Sequence, residues 1–266
     1  MSAFLAGVAD VNPARATEPA PTFQVPPTAL GSNQSAAPDD SDQSAAAAAS
    51  EASVEAVTLR LKDSLTPEMA QNFKLFVYID KAESGPFAQR MYVFQKTDSG
   101  DLAILYDWPV STGRQRIEHD VHGKLQSSLT PLGYFELDPK RLYADHTSSQ
   151  WNEAMPFAMF FNWKPNGRQT GLAIHGTPDE NAGLLGTPAS AGCVRLSLDN
   201  ARVLFGLVQS QSRGPTPKLA YLDGEAISSE GLLLHDGDGR LQLADGYSVL
   251  VLIDNYGGES RVSSLY

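Results

Sequence analysis

The sequence predicts a mainly β fold: one sandwich-type domain with a few helices over residues 57–266, preceded by an unstructured segment over residues 1–56. Three observations predict it. Short runs of apolar residues alternate with a period of two; Gly and Pro turn signals separate them at the intervals of a sandwich or barrel; and composition changes sharply near residue 55. An apolar content of 42% over 266 residues is enough for a real core.

From Pro19 to Ser53 the chain is built of Ala, Ser, Pro and Asp, with the run Ala45–Ala49 and almost no large apolar residue after Leu30. Such a segment buries too little surface to repay the entropy of ordering, so a disordered acidic linker is expected. Residues 1–55 carry seven acids (Asp10, Glu18, Asp39, Asp40, Asp42, Glu51, Glu55) against the single base Arg15, which is more than half of the net charge of −11. An acidic surface without a Lys/Arg cluster among aromatics repels polyphosphate, and no nucleic-acid partner is expected. No apolar run is long enough to span a bilayer, so no transmembrane segment is expected. Ser2–Ala9 is apolar but short, and Ala14-Arg15-Ala16 has only the form of a signal-peptidase site, so no clean export signal is read.

Thr66-Pro67-Glu68 reads as an N-cap, a first-turn proline and a first-turn acid opening a short helix toward Phe73. Phe73, Leu75, Val77 and Ile79 then lie on one face of a strand, and Met91–Phe94 follows as a second after the turn at Ser84-Gly85-Pro86. Leu102–Trp108, Tyr134–Leu137, Phe157–Trp163, Gly171–His175 and Tyr247–Ile253 are further strands by the same criterion. One later helix is expected, capped by Ser197, with Asp199 in its first turn and Ala201, Leu204, Leu207 and Val208 on its apolar side. Residues 209–246 read as an additional hairpin.

The chain has one cysteine, Cys193, so no intrachain disulfide forms. A thiol with a pKa near about 8.5 needs a base or positive surroundings to act as a nucleophile. His175 closes the run Gly171–Ile174 and is followed by Gly176-Thr177-Pro178; Cys193 lies in Ser190-Ala191-Gly192-Cys193-Val194-Arg195. The 17 residues between them are rich in Gly and Pro, a length that in compact domains usually carries function. Gly192 permits a tight turn, and the N–H groups around Gly192 and Cys193 are candidate oxyanion donors. Arg195 shares a face with Cys193 in an extended segment, where it would lower the thiol pKa or hold a substrate carboxylate.

His175-Gly176-Thr177 with Ser190-Ala191-Gly192-Cys193-Val194-Arg195 resembles the signature of the L,D-transpeptidase catalytic domain, the YkuD family. Val110-Ser111-Thr112-Gly113, Thr130-Pro131-Leu132-Gly133-Tyr134-Phe135 and Met155–Met159 are similar to its upstream segments, so the resemblance runs from about Leu75 to Val208. Two departures stand out: Ala191 holds a position most often histidine in the family, and residues 209–246 do not align. The resemblance implies Cys193 as nucleophile, His175 as general base, the Gly176 carbonyl orienting the imidazole, and Ser190, Gly192 and Arg195 lining the substrate site. It implies a thioester formed on peptidoglycan stem peptides with release of D-alanine, acyl transfer to an amine, and acylation by carbapenems. It implies no metal or organic cofactor, and action in the periplasm or cell envelope. A hydrolase of the same fold (an L,D-carboxypeptidase, a cross-link endopeptidase or a cell-wall-directed toxin) and a non-catalytic envelope binding module are the alternatives.

The other histidines have plainer readings. Glu118, His119, Asp120 and His122 suit a charged loop better than a metal site. His146 is assigned to a lid or surface loop, His235–Gly239 to a hairpin turn, and Trp151 and Trp163 to core or rim packing.

Overall fold

The structure, a computed structural model, describes residues 53–211, 213–221 and 233–256. The linker reading for residues 1–52 lies outside them. Residues 53–56 belong to the first helix, α1 (53–64), which corrects the expected start of order at residue 57. The physical reason is an apolar stripe, since Val57 and Leu61 lie one turn apart and are both buried. Helix α2 (Pro67–Asn72) follows, its Thr66 Oγ1 accepting from the Met69 N–H at 3.2 Å. Phe73 is the C-cap of α2 and packs with α1, so it does not share the strand face of Leu75 and Val77.

Strands β1 (Leu75–Asp80), β2 (Arg90–Lys96) and β3 (Leu102–Pro109) form a meander. Next come the hairpin β4 (Ile117–His119) with β5 (Leu125–Ser127), then β6 (Gly133–Phe135) and β7 (Leu137–Tyr143), then the hairpin β8 (Thr147–Ser148) with β9 (Glu153–Ala154). The remainder is β10 (Ala158–Phe161), β11 (Ala173–Gly176), β12 (Val194–Leu196), helix α3 (Leu198–Ser210), β13 (Arg213–Pro217), β14 (Leu243–Tyr247) and β15 (Val249–Asp254). One sheet has the order β3-β2-β1-β15-β6 and a second β12-β11-β10-β7.

The two sheets share one core. Leu75, Val77, Ile79, Val93, Val251 and Ile253 of the first meet Met159, Phe161, Ile174 and Val194 of the second. The far face of the first sheet is also covered: Phe76, Tyr78, Tyr92 and Leu250 pack against Val57, Leu61, Met69 and Phe73 of the helical segment. β1 is therefore buried at all six positions, as expected of a central strand paired in parallel, here with β15. Tyr134–Leu137 is not one strand. Phe135 pairs with Val251 in the first sheet and Leu137 with Phe161 in the second, so the chain changes sheets at Glu136, a corner that alternation alone cannot reveal.

The acidic histidine segment, expected as a charged loop, forms the β4–β5 hairpin. Asp120 accepts from the His122 and Lys124 N–H groups, each at 2.9 Å, while Glu118 pairs with Arg114 and Arg116. Among the described residues no group of three His, Cys, Asp or Glu is placed to hold a metal ion. Within residues 209–246, β13 pairs with β14 and a turn closes at Asp236–Gly239; residues 222–232 lie outside the described ones. Helix α3 begins as expected, Ser197 Oγ accepting from the Asn200 N–H, and lays Ala201, Leu204, Phe205 and Val208 on the second sheet's side of the core.

If α1 is part of the folding unit, truncating Leu61, which is 1% exposed, to alanine should cost about 2–5 kcal/mol in denaturant unfolding. Leu59→Ala, at a residue 53% exposed, should stay within about 0.5 kcal/mol. Equal midpoints for the two variants would separate α1 from the core.

Candidate active site

The pairing of β11 with β12 places the chemistry. The two strands are parallel, with Ile174 opposite Val194, His175 opposite Arg195 and Gly176 opposite Leu196. Alternation turns Ile174, Val194 and Leu196 into the core, which leaves His175, Arg195 and the preceding Cys193 on the opposite face. Parallel neighbours need a crossover, and the Gly/Pro-rich connection supplies it, with a short 3-10 helix over Asp179–Leu184. Cys193, His175 and Arg195 all line one cavity of about 600 Å³, together with Glu153, His146 and Trp151.

The turn before Cys193 is built from groups behind the cavity. Gly192 has φ +111°, and a Cβ there would lie 3.0 Å from both the Leu129 carbonyl and Leu172 Cδ2, so both conformation and space demand glycine. Ser190 Oγ accepts from the Gly192 N–H at 3.0 Å and donates to the Cys193 carbonyl at 2.5 Å. Thr130 Oγ1 donates to the Gly192 carbonyl and accepts from the Gly113 N–H, both at 2.8 Å. Ser111 and Arg195 exchange two backbone hydrogen bonds, and Ser190 N–H donates to the Thr112 carbonyl. Gln89, which the sequence did not single out, holds Thr112 through its side-chain amide. Ser190 and Gly192 thus shape the turn and do not line the cavity, contrary to expectation. The Gly192 N–H, spent on Ser190, is also withdrawn from the expected pair of oxyanion donors.

His175 is buried, and its Nδ1 lies 2.7 Å from the Gly176 carbonyl. A carbonyl only accepts, so Nδ1 carries the proton and Nε2 is left with its lone pair. Burial holds the imidazole pKa down to about 4, opposed by the Gly176 hydrogen bond and helped by the neighbouring Arg195. Gly176 itself is confined: a Cβ would meet Ala201 Cβ at 3.2 Å and Pro156 at 3.3 Å. Cys193 is half-buried, its Sγ donating to the Gly171 carbonyl at 3.6 Å. Burial pushes the thiol up to about 11, outweighing Arg195. Both shifts favour the neutral forms, and Arg195 does not depress the thiol below its ordinary value.

Arg195 has a partner that the sequence did not suggest. Its Nη2 donates to both carboxylate oxygens of Glu153 at 2.5 Å, and Nη1 reaches the Ala189 carbonyl at 3.4 Å. The guanidinium is thus paired with Glu153, while its Nε is buried without a hydrogen-bond partner among the described residues. Glu153 stands in a sequence context with no repeat, spacing or motif of its own; only folding of the β8–β9 hairpin over the cavity brings it to Arg195. His146, expected on a lid or surface loop, lines the cavity, stacked on Tyr143 and edge-on to Phe160. Trp151 lines the cavity, whereas Trp163 belongs to the core and reaches the cavity wall.

The sequence model of the L,D-transpeptidase catalytic domain, YkuD, matches residues 76–237. No curated protein matches the chain. Among solved structures, an L,D-transpeptidase from Xylanimonas cellulosilytica is 19% identical, covering 68% of this chain and 61% of that one, with a TM-score of 0.38. The L,D-transpeptidase LdtMt1 in complex with imipenem is 14% identical over 68% of this chain and 59% of that one, with a TM-score of 0.35. The helical cell shape determining protein Pgp2 from Campylobacter jejuni is 16% identical over 71% of this chain and 49% of that one, with a TM-score of 0.39. The chain thus spans between about half and three fifths of these proteins.

Glu153→Ala should destabilise the fold by about 3–5 kcal/mol, because it strands the Arg195 charge, only 6% exposed, without its carboxylate. The double variant Glu153→Ala/Arg195→Met should recover part of that loss in urea unfolding. Additive losses would show that the pair does not act as a unit.

Proposed function

Because the chain belongs to the family of L,D-transpeptidase catalytic domains, matched over residues 76–237, we propose that it is a cysteine acyltransferase acting on peptidoglycan stem peptides in the cell envelope. The observation that carries this reading is the placement of Cys193 and His175 on one face of a parallel strand pair, in one cavity, with the imidazole tautomer set by Gly176.

The chemistry follows from that arrangement. Substrate binding brings the neutral thiol to the free Nε2 of His175. The proton passes to Nε2 as sulfur attacks the carbonyl carbon preceding the terminal D-alanine, and the C=O electron pair moves to oxygen. With the Gly192 N–H held by Ser190, the Cys193 N–H is the turn's remaining donor toward that oxyanion. As the tetrahedral centre collapses, the imidazolium returns its proton to the leaving nitrogen, D-alanine departs and a thioester remains on Cys193. An acceptor amine then attacks the thioester, gives its proton to His175, and the thiol re-forms. The Gly176 carbonyl fills the place that a carboxylate holds in a Ser-His-Asp triad, orienting the ring without adding charge.

Cys193→Ala should abolish release of D-alanine from a tetrapeptide stem, and a carbapenem should add once to the wild-type chain, on Cys193, by intact-protein mass spectrometry. Purified peptidoglycan as substrate separates the outcomes: cross-linked products indicate transfer, shortened stems alone indicate hydrolysis, and full activity of Cys193→Ala overturns the mechanism.

The pH profile is a separate expectation. A base needs its neutral form, and His175 is lowered to about 4, so activity should persist through the ordinary histidine range and fall only as pH drops through about 4. In His175→Ala the thiol, raised to about 11, must ionise unaided, so residual alkylation by iodoacetamide should climb with pH well above neutrality. An acid limb at an unperturbed histidine pKa would contradict the buried neutral imidazole.

A further inference from the structure

The charged side chains of the cavity wall fall into two sets. Arg195 and Glu153 neutralise each other. Lys124 and Arg168 line the same cavity, are exposed, and have no ion-pair partner among the described residues. Lys124 stands at the tip of the β4–β5 hairpin, where the Asp120 carboxylate is occupied by the His122 and Lys124 N–H groups and by the Gln126 amide. Arg168 lies on another wall, three residues before Gly171, whose carbonyl accepts from the Cys193 thiol. Both uncompensated charges in the wall are therefore positive, in a chain whose net charge is −11.

We propose that Lys124 and Arg168 form the anion-recognition subsite of this cavity and bind carboxylates of the acyl-donor peptide. The identity of the peptide rests on the function proposed above; the subsite rests on the charge distribution. The Arg168 guanidinium offers a planar fork for one carboxylate and the Lys124 ammonium a mobile point charge, which suits a peptide carrying several carboxylates along its length. Two cations held at the mouth of a concave site also draw an anionic ligand toward the thiol over about a Debye length, against the repulsion of an acidic protein. Arg195 has a different task. Paired with Glu153, it ties the β8–β9 hairpin to the strand that follows Cys193, and its charge is compensated within the protein.

The test is calorimetric binding to the Cys193→Ala protein, which cannot turn over, using the tetrapeptide L-alanyl-γ-D-glutamyl-diaminopimelyl-D-alanine as the free acid and in fully amidated form. At low ionic strength the free acid should bind roughly tenfold more tightly than the amide, the size expected for two exposed ion pairs. Lys124→Gln/Arg168→Gln should erase that preference without changing amide binding or thermal stability, Lys124→Arg/Arg168→Lys should retain it, and salt should erode it in the parent. A preference kept by the Gln double variant, no preference in the parent, or no binding of either peptide would each overturn the subsite. The reaction is tested independently by carbapenem labelling of wild-type Cys193. Labelling without a cation-dependent preference refutes the subsite alone, whereas a cation-dependent preference without labelling or D-alanine release refutes the reaction and leaves the subsite standing.

Discussion

The structure turns on the parallel pairing of β11 with β12 in the register that sets His175 against Arg195. A slip of one residue would send His175 or Cys193 into the core and bring Ile174 or Val194 out to the cavity. The register is held from the core side, where Ile174, Val194 and Leu196 are wholly buried with α3 packed over them. Hydrophobic burial thereby fixes which side chains are left to do chemistry on the other face. The α3 N-cap at Ser197, directly after β12, ends the strand where the helix must begin.

The motifs around the thiol work mostly through the backbone. Gly113, Thr130, Ser190 and Gly192 meet in one set of hydrogen bonds that holds the Gly192–Cys193 turn in a left-handed conformation. Lys81 extends the set, its buried ammonium donating to the Thr130 carbonyl at 2.7 Å. Segments distant in sequence are tied together because a turn at positive φ, pressed against the Leu129 carbonyl, stays in place only if its polar groups are satisfied from several sides. Residues that look like substrate contacts in the sequence are in this way the frame of the Cys193 turn.

Electrostatics divides the cavity into a neutral floor and a positive rim. The floor holds a neutral thiol, a neutral imidazole and the closed Arg195–Glu153 pair. Burial favours the uncharged form of both the imidazole and the thiol.

The sequence by itself determined the strands, the capped helices and the single cysteine in its glycine turn, because each is encoded locally: alternation for β1, β2 and β15, a capping serine for α3, glycine where a turn crosses into positive φ. The contact of His175 Nδ1 with the Gly176 carbonyl was implied by the family resemblance, and the structure places the two 2.7 Å apart. Only the tertiary structure decided what depends on distant segments meeting: the change of sheet at Glu136, the cover of α1 on the first sheet, the arrival of His146 in the cavity, and the pairing of Arg195 with Glu153. A lone acid in a two-residue strand carries no periodicity and no motif, and its charge is the same whether it faces water or a buried guanidinium. The fold chose its partner by bringing the β8–β9 hairpin over the cavity, and with that choice it moved the free positive charge from Arg195 to the rim.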